Sequence, residues 1–211
     1  MIPSKEEWIN ALNDRHGIEL QERIASTTVA VCGLGGLGSN IATSLARAGI
    51  GKLILIDFDK VDITNLHRQQ YKANQIGMCK TEALQNNLKE INPYLETKIH
   101  TICLDESNAK DVLADADIIC EAFDNAEAKA NIVNFVLSQM PTKYIVAASG
   151  MAGLDSANLI KTRKVSKRFY LSGDEVIDIK DGIGLVSTRV MLCAAHQAHT
   201  VLRIIAEEYE A

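Results

Sequence analysis

The chain has 211 residues, of which 47% are hydrophobic and 23% charged, and its formal net charge at pH 7 is −5. This length and composition allow one domain with a substantial core, and the acidic balance argues against a nucleic-acid-binding protein, which usually presents a basic face. The N-terminus is charged and has no apolar signal segment, and no run approaches the ~18 apolar residues of a membrane span. We therefore expect a cytoplasmic protein with no membrane partner.

The five cysteines form no recognisable framework. Their number is odd and no two form a C-x-x-C pair, which argues against a set of disulfides and against a four-cysteine zinc site. Three of them, Cys32, Cys103 and Cys120, lie in apolar strand-like runs and are predicted to be small core residues.

Helical and strand-like segments alternate along the chain. A first helix begins after Ser4, which forms a capping-box pattern with Glu7, and ends near Asp14; a second covers about 18–25. The apolar, β-branched runs that suit strands buried on both faces are 28–32, 52–56, 96–103, 117–122 and 143–148. The helix candidates between them are 37–48, 79–91, 107–114 and 126–138.

This alternation predicts an α/β, doubly wound, Rossmann-like fold with a mostly parallel sheet. Residues 157–180 are predicted to form a short β-rich excursion that ends in a polar loop, and 185–209 a last apolar helix. We expect a single ATP-binding domain over 1–211. Its parts are the N-terminal helices (1–26), a Rossmann-like core (27–155) and a C-terminal extension (156–211).

A glycine-rich turn joins the first strand to the following helix. Gly33, Gly35 and Gly38 match the G-x-G-x-x-G fingerprint, and Gly36 is an additional glycine. Glycine lets backbone N–H groups approach phosphate oxygens closely, the helix N-terminus adds a positive dipole, and Ser39 can add a hydroxyl. The turn predicts phosphate binding without identifying the nucleotide, and close packing of strand on helix is the structural alternative.

Two carboxylates follow the second strand. Asp57 lies about twenty residues past the glycine-rich turn, where an acid can accept hydrogen bonds from ribose hydroxyls. Its structural alternative is a loop cap. Asp59 is a candidate for contact with a ribose or a metal, and solvent is its alternative.

Further polar groups follow these acids. Asn65, Arg68 and Gln69 are spaced i, i+3 and i+4, so they share one face if the segment is helical. An arginine fork matches phosphate oxygens, amides can orient the same groups, and Lys80 can offer a point charge to a triphosphate. A dinucleotide dehydrogenase needs little more than one acid in this region, to bind a ribose. The additional amide and cationic side chains therefore favour chemistry on ATP over hydride transfer.

The combined motif resembles the ubiquitin-activating-enzyme-like (HesA/MoeB/ThiF) family, and is most similar to its short bacterial ThiF-like sulfur-carrier-protein adenylyltransferases. The resemblance covers about residues 15–155. Besides the glycine-rich turn, it rests on Asp57-x-Asp59-x-Val61-x-x-x-Asn65-Leu66-x-Arg68-Gln69, Gly77-x-x-Lys80 and Asp124-Asn125. It implies an enzyme that binds ATP and Mg²⁺. The C-terminal Gly-Gly carboxylate of a small ubiquitin-like sulfur carrier would attack the α-phosphate, giving an acyl-adenylate and pyrophosphate.

The resemblance also implies the role of each nucleotide-binding residue. Gly35 and its neighbours would hold phosphate and adenosine, and Asp57 would hold the ribose. The triphosphate would be held by Asn65, Arg68 and Lys80.

Two further residues are implied by the resemblance alone. Asp124 would bind Mg²⁺, for which one carboxylate with phosphates and waters suffices; its structural alternative is the N-cap of helix 126–138. Arg15, or less well Arg23, would reach the partner's ATP site in a homodimer. The predicted catalytic residues are thus Arg68, Lys80, Asp124 and Arg15.

The sequence departs from larger members of that family in two ways. It lacks their paired C-x-x-C zinc ligands, and past Gly153 its only cysteine is Cys193, in an apolar helical run. We therefore expect no zinc, a buried Cys193 and no thioester step, so that the reaction stops at the adenylate.

Three other functions fit part of the pattern. Related family members activate a carboxylate on tRNA, which the acidic charge disfavours. An NAD-dependent oxidoreductase leaves four residues unexplained: Asn65, Arg68, Lys80 and Asp124. A non-catalytic nucleotide-binding scaffold fits the missing zinc ligands and thioester cysteine, but the intact ATP-site residues argue against it. The leading hypothesis is adenylation of a ThiS-like carrier in thiamine thiazole biosynthesis, with no nucleic acid as a partner.

Overall fold

A computed structural model describes residues 2–175 and 183–210 of the chain. Its strands form one seven-stranded sheet in the order β3-β2-β1-β4-β5-β7-β6. The strands are β1 (Thr28–Cys32), β2 (Lys52–Ile56), β3 (Glu96–His100), β4 (Ile118–Glu121), β5 (Tyr144–Ala148), β6 (Lys161–Ser166) and β7 (Phe169–Gly173). The α-helices are α1 (Lys5–His16), α2 (Ile18–Ser26), α3 (Gly36–Arg47), α4 (Lys80–Ile91), α5 (Ala109–Val112), α6 (Ala126–Gln139) and α7 (Ser187–Ile205).

The sheet is doubly wound and mostly parallel, as the sequence predicts. Strands β1 to β5 pair in parallel and β7 adds in parallel to β5, whereas β6 pairs antiparallel with β7. The chain leaves β1 for β2 on one side and returns to β4 on the other, so the carboxyl ends of β1 and β4 flank a topological switch point. In open α/β sheets this is where ligands bind.

The core lies on both faces of the sheet. Alternate side chains of a strand point to opposite faces, and in β1 Val29 and Val31 belong to one buried cluster whereas Ala30 and Cys32 belong to the other. Long apolar strands buried in this way explain why the predicted strand positions are close to those observed. Among the described residues, no helix has the length and apolarity to cross a membrane.

The N-terminal capping box is present. The Ser4 hydroxyl accepts a hydrogen bond from the Glu7 N–H, and the Glu7 carboxylate accepts one from the Ser4 N–H. The helix that follows runs to His16, two residues beyond the expected end, where Gly17 has a φ of +80°. Every residue of α1 is exposed or half-buried, so this helix lies at the periphery of the fold.

The prediction for the third strand was too long, and one cysteine was misplaced as a result. Within the described part of the chain, strand β3 pairs with β2 alone, and their ladder ends where Ile56 meets His100, because β2 itself ends there. Residues 101–103 leave the sheet, so Cys103 is exposed and the prediction of a core residue is wrong. Cys32 and Cys120 are buried, as predicted.

The predicted β-rich excursion corresponds to β6 and β7, and the predicted last helix to α7. The polar loop expected at the end of the excursion falls largely on residues 176–182, which lie outside the described residues. Cys193 of α7 is buried, as expected, and burial raises its thiol pKa to about 12. A thiol with so high a pKa is a poor nucleophile near neutral pH.

Candidate functional site

A cavity of about 1270 Å³ opens at the carboxyl ends of β1, β2, β4 and β5. Pockets for single drug-sized molecules are roughly 300–1,000 Å³, so this one has room for a nucleotide and part of a second substrate. The predicted site residues that line it are Gly33, Gly35, Gly36, Asp57, Asp59, Asn65, Arg68, Gln69, Lys80 and Asp124. Three other predicted residues, Gly38, Ser39 and Arg15, lie outside this lining as the described residues define it.

Most glycines of the glycine-rich turn are required by packing. A Cβ on Gly33, which has a φ of +90°, would lie 2.8 Å from the Ala122 carbonyl oxygen. A Cβ on Gly38 would lie 1.8 Å from the carbonyl oxygen of Gly33. Gly36 approaches Val190 of α7, where a Cβ would lie 2.8 Å from Cγ1. The close approach of strand, turn and helix therefore explains three of the four glycines.

Gly35 is different because nothing crowds it. The nearest atom to a Cβ built there is Gln69 Nε2, at 3.8 Å. Gly35 is the N-cap of α3, and within the described chain no side chain caps that helix end. The first N–H groups of a helix need partners, and an anion can supply them. The open space beside Gly35 is suited to a phosphate.

Ser39 acts within the fold. Its hydroxyl donates a hydrogen bond to the Gly35 carbonyl oxygen (2.6 Å) and accepts one from the Gln70 N–H (3.1 Å). Its side chain is buried, so it links the glycine-rich turn to the segment that carries the site arginine.

Asp57 connects two loops of the cavity wall. One carboxylate oxygen accepts a hydrogen bond from the Leu34 N–H (2.6 Å), and the other accepts one from the Asp59 N–H (2.7 Å). The loop-capping alternative for Asp57 is thus present. It does not compete with ribose binding, because each carboxylate oxygen has a second lone pair.

The segment from Asn65 to Gln69 is not a regular helix. A 3₁₀ turn spans Ile63–Asn65, and turns follow it. Asp62 and Asn65 form a capping box that fixes this short turn. Even so, Asn65, Arg68 and Gln69 all reach the cavity wall. The predicted juxtaposition holds although the helix on which it was based is absent from this segment.

Two polar atoms of this segment lack partners. Arg68 Nε and Gln69 Oε1 are buried without a hydrogen-bond partner in the described part of the chain. The Arg68 guanidinium does donate from Nη1 to the Thr64 carbonyl oxygen at 3.0 Å. Buried polar groups in proteins are ordinarily paired, so these side chains fit a site whose ligand completes the hydrogen bonding.

Lys80 is already in contact with an acid. It is the first residue of α4, and its side chain is only 7% exposed. The Nζ atom lies 2.7 Å from Asp59 Oδ2, and the Lys80 N–H donates to the Asp59 carbonyl oxygen at 2.9 Å. The ammonium is therefore held at the cavity wall by Asp59 and faces the same space as Arg68.

Asp124 is not the N-cap of α6. Asn125 has that role, since its side-chain oxygen accepts a hydrogen bond from the Ala128 N–H at 2.9 Å. The capping alternative for Asp124 is therefore wrong. Asp124 lines the cavity, and its carboxylate has no hydrogen-bond or ion-pair partner among residues 2–175 and 183–210.

No group of three His, Cys, Asp or Glu side chains in the described ranges could hold a metal ion. A divalent cation near Asp124 would thus need ligand oxygens from a phosphate and from water, which is how Mg²⁺ is commonly bound. The charges of the wall favour such a cation, because carboxylates outnumber cationic side chains by eight to four. The carboxylates are Asp57, Asp59, Asp62, Asp105, Glu106, Asp124, Glu127 and Glu175, and the cations are Lys60, Arg68, Lys80 and Lys129.

One wall of the cavity was not anticipated from the sequence. The loop after β3 contributes Cys103, Asp105 and Glu106. Because β3 is parallel to its neighbours, its carboxyl end meets the same edge of the sheet. The predicted parallel topology already implied that the loop after β3 reaches this edge. The predicted strand 96–103 was too long, however, and included part of that loop.

An ion pair between a buried glutamate and a lysine of the cavity wall was also missed. Glu121 ends β4 and its side chain is fully buried, yet both of its oxygens contact Lys129 Nζ of α6, at 2.7 and 2.5 Å. Burial raises the pKa of the Glu121 carboxyl, and Lys129 opposes that rise. A glutamate at the end of an otherwise apolar strand was the available signal.

The sequence matches the ThiF family over residues 10–210. Its relatives include the adenylyltransferase and sulfurtransferase MOCS3 of Caenorhabditis briggsae, which is 39% identical over 119 residues, or 56% of this chain and 30% of that protein. Another is the adenylyltransferase and sulfurtransferase UBA4 of Candida albicans, 30% identical over 199 residues, or 91% of this chain and 45% of that protein. The chain thus spans less than half the length of these relatives.

Solved structures share the fold over the full chain. The crystal structure of the E. coli tRNA N6-threonylcarbamoyladenosine dehydratase TcdA in complex with ATP matches with a TM-score of 0.86 and 19% identity, covering 99% of this chain and 98% of that one. At this identity the likeness shows the fold alone.

Proposed function

The chain belongs to the ThiF family, and on that premise we propose that it is an ATP-dependent adenylyltransferase that activates a carboxylate. Members of this family are ATP-using adenylyltransferases. The substrate we propose is the C-terminal Gly-Gly carboxylate of a small, ThiS-like, ubiquitin-like sulfur-carrier protein. The products are an acyl-adenylate and pyrophosphate, and the pathway is thiamine thiazole biosynthesis.

The observation that carries this proposal is that Arg68, Lys80 and Asp124 line the same cavity as Gly35. Two cations and an uncapped helix N-terminus can bind a triphosphate. Arg68 and Lys80 would stabilise the negative charge that moves onto the leaving pyrophosphate as the α-phosphate is attacked. Asp57 follows β2 at the same edge of the sheet, where it would bind the ribose.

Magnesium completes this scheme. Residues with a net negative charge surround the cavity, so ATP, itself a polyanion, would bind them poorly without a counterion. We place Mg²⁺ beside Asp124, where it would neutralise charge on the phosphates. Lys80 Nζ lies 2.7 Å from Asp59 Oδ2. When ATP binds, the Lys80 ammonium would leave Asp59 and contact the triphosphate.

Room for a protein tail also favours a carrier substrate. A second groove of about 660 Å³ includes Glu175 in its wall, and Glu175 also lines the main cavity. Lys161 and Arg163 of the edge strand β6 border this groove. An extended C-terminal segment lying in the groove would direct its carboxylate towards the nucleotide.

The test of this function is ATP–pyrophosphate exchange with purified small Gly-Gly carriers. We expect exchange that depends on both Mg²⁺ and the carrier, and that disappears when EDTA is added or when the last glycine of the carrier is removed. Exchange stimulated by tRNA and not by carriers would instead support activation of a carboxylate on tRNA; TcdA, which shares the fold, is named as a tRNA N6-threonylcarbamoyladenosine dehydratase. ATP binding without exchange with either substrate would favour a nucleotide-binding scaffold.

A homodimer is the state in which Arg15 could act. Arg15 is exposed in the last turn of the peripheral helix α1 and lies outside the lining of its own chain's cavity. We therefore propose that it contributes to the site of a partner subunit, where a second arginine would add positive charge next to the triphosphate.

Subunit complementation tests the role of Arg15. Arg15→Ala and Asp124→Asn subunits, each of which we expect to have little exchange activity alone, are co-refolded in equal amounts. If Arg15 acts in the partner's site, random assortment restores one intact site in half of the dimers, or about a quarter of wild-type exchange. If it acts in its own subunit, or not at all, mixing adds no activity.

A further inference from the structure

We propose that the ion pair between the buried Glu121 and the half-buried Lys129 positions the connection between β4 and α6, and thereby directs Asp124 into the cavity. Glu121 and Lys129 flank this connection, which consists of residues 122–125. The inference rests on the proposed function only in taking Asp124 as a working acid. Glu121 and Lys129 are positioning residues in this scheme.

Hydrogen bonds fix the start of the connection. The Ala122 N–H donates to the Cys32 carbonyl oxygen of β1 at 2.8 Å, and the Gln197 side chain of α7 donates to the Glu121 carbonyl oxygen at 3.1 Å. The Glu121 carboxylate then accepts a hydrogen bond from the Phe123 N–H at 2.7 Å. This last contact turns the backbone out of the sheet one residue before Asp124.

Lys129, the second member of the ion pair, fixes the end of the connection. Lys129 lies in the first turn of α6, and its own N–H donates to the Asn125 carbonyl oxygen at 3.0 Å. Its ammonium reaches back to both Glu121 oxygens. A single carboxylate thus binds the first part of the connection through Phe123 and the helix through Lys129. Asp124, between these anchors, is left to face the cavity.

Stability alone is a weak reason for an ion pair at this place. The Glu121 side chain is fully buried and that of Lys129 is 22% exposed. Taking the carboxylate out of water costs free energy that its attraction to a partly solvated ammonium barely repays, and apolar pairs of similar volume are often as stable or more so. An apolar pair would also pack at these two positions. A role in fixing the backbone of residues 122–125 explains why a charged pair is present instead.

A competing role is direct contact between Lys129 and the nucleotide, because Lys129 also lines the cavity. The two roles differ in what they require of Glu121 and of Mg²⁺. A direct phosphate contact would strengthen ATP binding with or without Mg²⁺. A positioning role acts through Asp124, so it affects only the part of the affinity that depends on Mg²⁺.

Three variants separate these roles. Glu121→Met with Lys129→Met removes both charges at nearly constant volume and keeps an apolar core, so it should fold. Lys129→Arg keeps the ion pair. The matched control replaces both members of a surface pair between two strands, Lys52→Met with Glu96→Met.

The first readout is amide hydrogen exchange in the nucleotide-free protein. We expect the hydrogen-bonded amides of this segment, those of Ala122, Phe123 and Ala128, to exchange about tenfold faster in the paired Glu121/Lys129 variant, and to stay at the wild-type rate in Lys129→Arg and in the surface control. Wild-type protection of this segment in a folded paired variant would overturn the positioning role. This measurement needs neither ATP nor a carrier.

The second readout is ATP affinity by calorimetry, in Mg²⁺ and in EDTA. We expect the paired variant to lose about tenfold in Mg²⁺ and nothing in EDTA, whereas Lys129→Arg keeps both affinities. Equal losses in both buffers would assign Lys129 to the nucleotide and overturn the proposal. If wild-type affinity is the same in both buffers, the proposed role of Mg²⁺ fails instead, and the amide exchange decides the positioning role independently.

Discussion

Replacing Asp124 by asparagine is expected to lower the rate of carrier-dependent ATP–pyrophosphate exchange by about 10²- to 10³-fold. The change removes one negative charge at nearly constant shape, and losing one group that stabilises transition-state charge typically has an effect of this size. The fold should be unaffected, because Asn125 and not Asp124 caps α6. Initial rates of exchange at saturating ATP measure the effect, with thermal unfolding as a check on the fold.

Asp62→Asn is the matched control for that substitution. Asp62 also lines the cavity and is exposed, but its carboxylate is engaged in capping the short 3₁₀ turn, where it accepts from the Thr64 N–H at 2.8 Å. Exchange within a few-fold of wild type is expected. Equal losses in the two variants would mean that the net charge of the cavity matters, and not the position of Asp124.

Replacing Lys129 alone by methionine is expected to destabilise the protein by about 3–5 kcal/mol at pH 8, the usual cost of leaving a buried charge without its partner. Burial already raises the pKa of Glu121, and Lys129 is the counterion that opposes this rise. In the variant the carboxyl would therefore have a folded-state pKa well above its unfolded value.

The sign of the pH dependence follows from that pKa. A carboxyl with a raised folded-state pKa stabilises the fold in its protonated form, and this contribution is lost as the pH rises through the folded-state value. The free-energy deficit of Lys129→Met relative to wild type should thus be smaller at pH 5 than at pH 8. Urea unfolding at both pH values measures it. Lys129→Arg is the control, and a deficit that does not vary with pH would contradict this account.

The strands of the sheet could be predicted from the sequence, but the point at which each strand ends was predicted less well. Strands β1 and β2 are apolar runs buried on both faces, and their bounds were predicted without error. The end of β3 depends instead on where its neighbour β2 stops, which is a property of the pairing and not of residues 101–103. Periodicity within one segment carries no information about the length of its partner.

In the candidate site, too, some features could be predicted from the sequence and others could not. Its polar residues could be predicted because they follow strands that meet at one edge, and Asn65, Arg68 and Gln69 reached the cavity without the helix on which their spacing argument relied. Glu121 could be noticed as a glutamate at the end of an apolar strand, but its pairing with Lys129 could not be predicted, since Lys129 lies eight positions further on, after a change from strand to helix. Its geometry exists only once β4, α6 and α7 are packed.

The glycine-rich turn has a consequence for how such fingerprints should be weighed. Gly33, Gly36 and Gly38 each have a neighbour that leaves no space for a Cβ, whereas a Cβ on Gly35 would meet nothing closer than 3.8 Å. A chain that kept this packing but had lost its ligand would still require three of the four glycines. In a fold of this kind, the second glycine of the motif is therefore the one whose presence indicates a bound anion. The other three glycines mainly indicate how tightly the strand, the turn and the helices pack.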